Sequence, residues 1–472
     1  MASNRVDTVV FGGQVVTSSE AYEAGVAIQG EKIVAIGPSE MLPPAENYID
    51  ATGKYVLPGA IDAHVHLAAH DDYEVGAWAA AHAGLTTLVP FAVTDQERRE
   101  SLPHSIERHK EMVSKQSVLD FGLHFMLGNQ EYLLDGLPGA LDMGVSSYKM
   151  FMTYKKQVTR MVSDEFICRA MEIISAKQGV CQLHCENGDV ANYLEDWCIS
   201  QEQVHPRDFP GTCPPWIEEE AINRAVNFGA LTRCLTYVVH LSTQGGLERI
   251  KQAQASGLPV WTETCPQYLL LDNSLMEEWG PLAKMGPPLR EKGGPDQPAL
   301  WRGLQGGFIS IVASDHAPHP PDQKQHGWNN VFVQPDGRVV PFGSPGVETI
   351  VPLMYSQGVV DQGLPIWWMA RVLAENPARI FGLYPRKGVI RVGADADLLI
   401  MDPNQQGAIS AKNHHGNSGY TLFEGWEVKG WPWMTLQRGR VLLRDGKVEQ
   451  QPGAGQFITA GATRPPIGGR VG

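Results

Sequence analysis

Two histidines separated by one residue, His64 and His66, close the apolar run Val56-Leu-Pro-Gly-Ala-Ile-Asp-Ala-His-Val-His-Leu67. Residues i and i+2 of an extended strand share a face, so both imidazoles are expected on one side, as a pair of metal ligands needs. An H-x-H pair alone arises often by chance; its place at the end of an apolar strand gives it weight. Three more polar residues repeat that placement. His184 follows Gly179-Val-Cys-Gln-Leu, His240 follows Leu235-Thr-Tyr-Val-Val, and Asp315 follows Phe308-Ile-Ser-Ile-Val-Ala-Ser. Singly, each reads as a hydrogen-bonded structural residue. Together they set a ligand-type side chain wherever an apolar strand opens into a loop, which is where parallel barrels gather their catalytic groups. Lys149 is the odd member, an ammonium inside the apolar strand Val145-Ser-Ser-Tyr-Lys-Met-Phe-Met152. Burying it is costly unless it is paired or chemically altered. Pairing with a neighbouring carboxylate is the plain reading. The sharper one is carboxylation by carbon dioxide, which makes an anionic carbamate able to bridge two metal ions.

The elements that must position these groups follow from the spacing. From His64 to Lys149, His184, His240 and Asp315 the intervals are 85, 35, 56 and 75 residues. A βα unit with its loops takes roughly 30–40 residues. The intervals then count as three units, one, one with an insertion, and two, which puts the groups on strands one, four, five, six and eight. The chain from Pro58 alternates accordingly. A helical pattern over 77–83 stops at Gly84 and gives way to a strand over 85–89. A second helical pattern over 218–231 gives way to a strand over 235–240. Both ends are strand-rich instead. Val26-Ala-Ile-Gln-Gly-Glu-Lys-Ile-Val-Ala-Ile36 alternates around Gly30, and Val441-Leu-Leu-Arg-Asp-Gly-Lys-Val448 carries an Asp-Gly hairpin turn. The fold class read from this is α/β: a (β/α)8 TIM-like barrel over residues 58–385, with a small β-sandwich built from both chain ends, 1–57 and 386–455, and a tail over 456–472. The Gly/Pro/Arg-rich end of that tail, 461–472, is expected to be frayed or ordered only on contact.

Composition excludes several function classes. The 472 residues carry a net charge of −14, which repels phosphate backbones and argues against a nucleic-acid partner. Seven scattered cysteines without a C-x-x-C pair fit reduced thiols in a cytoplasm. No basic, apolar and cleavable leader opens the chain, and no 18-residue apolar stretch offers a membrane span. Cys181 and Cys185 flank His184 but share the strand face opposite to it, so they read as core residues.

The motifs PGAIDAHVHL (58–67), SSYKMFMTY (146–154), LHCENGD (183–189), VVHLST (238–243), CPQYLLLD (265–272), MGPPLR (285–290), SDHAPH (314–319), SPGVE (344–348), ENPARIFGL (375–383) and GVIRVGADADLLIMDP (388–403) occur in this order along nearly the whole chain. The set resembles the cyclic amidohydrolases of the amidohydrolase superfamily, the dihydropyrimidinase and hydantoinase family. That resemblance implies a hydrolase of the ring C–N amide bond in hydantoins or dihydropyrimidines. It implies two divalent metal ions, zinc as a rule, with manganese or cobalt compatible with the ligand types. His64, His66 and Asp315 would hold one ion, His184 and His240 the other, and N6-carboxylated Lys149 both. A water activated between the metals as hydroxide would attack the ring carbonyl. Asp315 would carry its proton to the leaving nitrogen, and Tyr154 would steady the oxyanion. Leu67, Phe151, Tyr154, Gly286, Phe342 and Gly343 would line the substrate pocket.

Departures from the family pattern bear on the substrate. Gly286 stands where hydantoinases usually carry Ser in M-S-P-P-L-R, which removes a polar side chain and adds room. Phe342 replaces the Asn of P-N-G, making that wall apolar. Leu67 replaces the Arg that grips the carboxylate of dihydroorotate, an argument against a dihydroorotase. The segment Ala68-Ala-His-Asp-Asp-Tyr73 lacks the usual D-M-P-F-G-G, and His70, Asp71 and Asp72 read as a solvated loop. Cyclic imides, lactams or allantoin are therefore the alternative substrates. A non-catalytic scaffold such as the collapsin response mediator proteins would have lost metal ligands, whereas all six positions here are filled. Lys149 likewise argues against a mononuclear deaminase-like relative. His316 and His319 are expected to orient Asp315. Segment 425–432 and the tail resemble parts that pack between subunits, so a homotetramer is expected, a dimer next.

Overall fold

A computed structural model describes residues 5–67, 71–157 and 159–468. Eight consecutive parallel strands form its centre: Ala60–Val65, Leu85–Ala92, a third split into Asp120–Phe121 and His124–Met126, then Ser147–Phe151, Val180–His184, Leu235–Val238, Val260–Thr264 and Ile311–Val312. Each pairs with the next in parallel register. The ring closes where Val65 bridges His316, with the His66 N–H donating to the His316 carbonyl at 2.7 Å. This is the expected TIM-like barrel, with the ligand-type residues on strands one, four, five, six and eight.

Local sequence explains the connections. Asp72 caps the helix Tyr73–His82 by accepting from the Glu74 and Val75 amides. The chain then turns through Gly84 at φ +82° into the second strand. The helix Pro215–Thr232 starts on a proline, whose missing N–H costs nothing there, and feeds the sixth strand. Inside the barrel, Ile61, Ala63, Val89, Val180, Tyr237, Val239, Trp261, Ile311 and Ala313 form one apolar cluster. In the first strand the register breaks between Asp62 and Val65. Ile61 and Ala63 join the interior cluster below that break; above it His64 and His66 take the inward positions, the re-aiming that a bulge produces.

The chain ends build extra β-structure. A four-stranded sheet runs Lys32–Gly37, Gly25–Gln29, Val6–Phe11, Ala45–Asp50, with Gly30 at φ +58° in the hairpin. A seven-stranded sheet mixes both ends, with Tyr55–Pro58 between Leu398–Ala408 and Gln14–Val16. Its Asp445-Gly446 turn has both residues at positive φ, as a two-residue hairpin requires. Val10, Val26, Ile28, Val56, Leu398, Ile400 and Leu436 fill the space between the sheets. A buried charge cluster ties this unit to the barrel: Lys387 Nζ reaches Asp397 at 2.6 Å, Asp395 at 3.0 Å and Asp120 of the third strand. The described part of the tail, to residue 468, packs against the barrel. Ile458 joins the barrel's interior cluster, and the Arg464 and Ile467 amides donate to the Arg379 carbonyl and the Asn376 side chain. No helix among the described residues is long and apolar enough to cross a membrane.

Candidate metal centre

The six ligand-type residues converge at the C-terminal ends of their strands, as expected for a barrel site. His64 Nε2 lies 3.2 Å from His66 Nε2 and 3.1 Å from Asp315 Oδ1, and His66 Nε2 lies 3.5 Å from that same oxygen. Donor atoms about 2.1 Å from one ion at tetrahedral angles stand roughly 3.4 Å apart, so the three fit a single cation. Lys149 Nζ sits 2.9 Å from His64 Nε2. The His184 and His240 rings complete the group, with centroids 4.3 Å apart and His240 5.4 Å from His64. His240 Nδ1 is buried with no hydrogen-bond partner among the described residues. An orphaned imidazole nitrogen beside a crowded set of ligand-type atoms is what a cation would satisfy.

Second contacts set the tautomers. The Nδ1–H of His64 donates to Glu263, which leaves Nε2 as a lone pair towards the centre. Glu263 also accepts from the Tyr237 hydroxyl at 2.8 Å and from the His240 amide at 3.2 Å, so one buried carboxylate fixes residues of both halves. His184 donates Nε2–H to Glu186 at 2.7 Å, which leaves Nδ1. Asp62 Oδ1 accepts from the His64 and Ser314 amides at 3.1 and 3.2 Å and fastens strand one to strand eight. Sequence reasoning missed Glu263, Glu186 and Asp62, although Glu263 also sits near the end of its strand.

Burial governs the protonation states. It lowers His66 to about 3, with Lys149 adding to the effect, and it holds His240 well below the usual histidine range. At His66 and His240 neutral imidazoles result, the form that binds metal. Burial likewise brings Lys149 down to about 8, which puts the free amine within reach of neutral pH. For Asp315, burial pushes upward but His64, His66 and His240 hold it well below the usual carboxylate range. Tyr154 is held well above its ordinary value by burial, and Glu186 and Asp315 add to this, so it stays a hydroxyl donor. Tyr154, His240 and Asp315 all have φ between +37° and +68°, a conformation costly for non-glycine residues and concentrated at functional sites.

A cavity of about 750 Å³ opens over this centre. Every pocket residue expected from the sequence lines it: Leu67, Phe151, Tyr154, Gly286, Phe342 and Gly343. The space at Gly286 is not free, however. A Cβ there would lie 2.2 Å from the Tyr154 hydroxyl and 3.4 Å from Phe342. The tyrosine occupies the room that the glycine leaves. Phe342 packs edge-on against Tyr154 at 4.9 Å between centroids, and Lys284 Nζ stands 4.1 Å from the centroid of the Phe342 ring. Lys284 and Lys324 fix this wall by donating to the carbonyls of Val340 and Gly343.

Two expectations are corrected. Asp71 is fully buried rather than solvated: it receives the Asn417 amide at 2.7 Å and lies 3.1 Å from His316 Nε2. His316 does not reach the Asp315 carboxylate with its ring. Nε2 engages Asp71, and Nδ1 accepts from the Gly346 and Val347 amides, so it braces the loops behind Asp315. His319 lines the cavity and lies 3.4 Å from Gln323. Asp72 is the exposed helix cap, while Ala68, Ala69 and His70 lie outside the described residues. Cys181 and Cys185 are buried free thiols.

Comparison with known proteins agrees with this geometry. Residues 55–442 match the model of the amidohydrolase family. A D-hydantoinase of Geobacillus stearothermophilus is 36% identical over 463 residues, 95% of this chain and 96% of its own length. An L-hydantoinase of Paenarthrobacter aurescens is 31% identical over 467 residues, 96% of this chain and 98% of its own. The solved structure of a dihydropyrimidinase from Brevibacillus agri superposes with a TM-score of 0.90 at 35% identity, covering 97% of this chain and all of that one.

Proposed function

The chain belongs to the amidohydrolase family, in the branch of hydantoinases and dihydropyrimidinases, and is a hydrolase of cyclic amides; from this we propose that it opens hydantoin and dihydropyrimidine rings at the C–N amide bond, using two divalent ions. The observation that carries the reading is the convergence of His64, His66 and Asp315 on one point that Lys149 Nζ also reaches. In this proposal His64, His66 and Asp315 hold one ion and His184 and His240 the other, with Lys149, carboxylated on Nζ, between them. Zinc is the proposed metal, since imidazole and carboxylate ligands suit it, with manganese or cobalt able to replace it. Such a pair of ions would supply an activated water and polarise the ring carbonyl.

The chain's own residues do the rest. Asp315 accepts the proton of the attacking water at its carboxylate and returns it to the ring nitrogen as that nitrogen leaves. Tyr154 donates its O–H to the carbonyl oxygen as negative charge develops there. Glu263 holds His64, and through its amide His240, so that neither ring has to reorganise. Phe91, stacked on His66 at 4.9 Å, and Phe151 wall the centre from bulk water.

Tyr154→Phe is expected to lower kcat roughly 10²–10³-fold with both ions retained, the cost of removing one oxyanion donor. Steady-state kinetics beside metal analysis would check this, and a wild-type kcat would remove Tyr154 from the chemistry. Gly286→Ser is expected to swing that same hydroxyl off its place and lower kcat by about 10-fold or more. Unchanged turnover in that variant would mean the tyrosine has space to yield.

The apolar wall of Phe151 and Phe342 favours a second reading, hydrolysis of cyclic imides, lactams or allantoin by the same machinery. Incubating the two-metal protein with dihydrouracil, 5-substituted hydantoins, succinimide, a lactam and allantoin, and identifying the opened products, separates the two. Turnover led by hydantoins and dihydrouracil supports the first; turnover confined to the others replaces it with the second. Six of the seven free cysteines are buried, in keeping with the proposed cytoplasmic location. A homotetramer, with a dimer next, is the proposed assembly by analogy.

A further inference from the structure

We propose that Arg160 makes this site select rings that carry an anionic arm, a carboxylate on the ring substituent; the assignment rests on the ring-opening reading above. The chain as a whole is acidic, with a net charge of −14, yet the cavity is lined the other way. Outside the six ligand-type residues, its described lining holds Lys156, Arg160 and Arg338 and no Asp or Glu. Lys156 is neutralised by Glu195 at 2.8 Å and Asp196 at 2.6 Å, and Arg338 by Asp336 at 2.7 Å. Arg160 has no carboxylate within ion-pair reach among the described residues. Its side chain rests on the Phe151 ring, with Cζ 5.0 Å from the centroid, and Nη1 meets the Met126 thioether at 3.4 Å.

A ring face and a sulfur are weak partners for a guanidinium, which presents five N–H donors in a planar fork matched to a carboxylate. Burial also works against its charge and lowers its pKa. A charge half-withdrawn from water and left without an anion is destabilising unless something supplies that anion. The position in the cavity says where the anion would come from. Lys149 Nζ lies at the same 5.0 Å from the same Phe151 ring. The guanidinium and Lys149 Nζ are therefore no more than twice that distance apart, which keeps Arg160 beside the centre over which a substrate amide would sit. A five- or six-membered ring seated there needs only a short acid arm to reach Arg160. The contact is remote from the bond that breaks, so it strengthens ground and transition states alike and acts through KM.

The test compares hydantoin-5-acetic acid with its primary amide, equal in shape and different in charge, on the two-metal protein and on Arg160→Gln and Arg160→Lys. The wild-type chain is expected to prefer the acid in kcat/KM by roughly 10- to 100-fold, the strength of a charge-assisted hydrogen bond. In Arg160→Gln that ratio should collapse towards one through a higher KM for the acid. Arg160→Lys should keep part of it, and added salt should weaken the acid's advantage alone. A guanidinium that serves only packing would lower both substrates together and leave their ratio unmoved. An equal preference in the wild-type chain, or a ratio that survives in Arg160→Gln, overturns the assignment while turnover of the amide leaves ring opening standing. Failure to open the acid, the amide and unsubstituted hydantoin with two ions bound overturns the ring-opening reading and the assignment with it.

Discussion

Lys149→Ala is expected to release both metal ions and to lower ring opening by roughly 10⁴-fold or more. The side chain is almost wholly buried, and its Nζ touches His64. Carboxylated, it would be the one group shared by the two halves of the centre. Alanine would remove the anion proposed to offset two closely spaced cations, so their mutual repulsion would remain without compensation. The histidines alone would hold at most a weakly bound ion. The barrel itself should survive, because the apolar residues flanking Lys149, Tyr148 and Met150, belong to the main core packed outside the strands. Metal analysis, turnover and a thermal melt on one preparation check the three parts together. Acetate added with zinc offers a sharper control. It fits the space left by the truncated side chain and brings back a carboxylate, so part of the metal content and activity should return. Two ions per chain and full activity in Lys149→Ala would refute the bridging role.

Asp315→Asn should abolish proton transfer while leaving the shape of the site intact, with turnover falling roughly 10²–10⁴-fold or further. Asparagine tolerates the left-handed backbone that residue 315 adopts at φ +50°, so the substitution adds no strain. It does remove the negative oxygen that lies 3.1 Å from His64 Nε2 and 3.5 Å from His66 Nε2. The ion on that side should bind more weakly, and the one on His184 and His240 should persist. The measured metal content should thus fall towards one ion per chain. Turnover near the wild-type rate would take the proton shuttle away from Asp315.

Much of the centre was legible because its residues break the pattern of the strands they end. His64, His66, His184, His240 and Asp315 each close an apolar run, and their intervals count whole βα units. Lys149 stood out for the opposite reason, a charge set inside a strand. What escaped notice depends on pairings across the barrel. Glu263 also sits near the end of its strand, but its task of holding His64 Nδ1 joins residues 199 apart in sequence, on strands seven and one, either side of strand eight. Asp71 sits in a polar triplet that reads as solvent-facing, and only the approach of His316 and Asn417 buries it. Gly286 was visible as the loss of a side chain; that the Tyr154 hydroxyl fills the gap is a fact of packing. The break in the first strand that turns His64 and His66 inward has no sequence signal of its own.

The most direct measurement follows hydantoin and dihydrouracil opening in one preparation, first as loaded with zinc and bicarbonate, then after chelation, then after zinc and bicarbonate are restored separately and together. Turnover at two ions per chain is expected, with loss on chelation and full return only when both are supplied. Turnover that persists once the protein holds less than one ion per chain, or that returns fully with zinc in carbon-dioxide-free buffer, would contradict a carboxylated-lysine, two-metal centre.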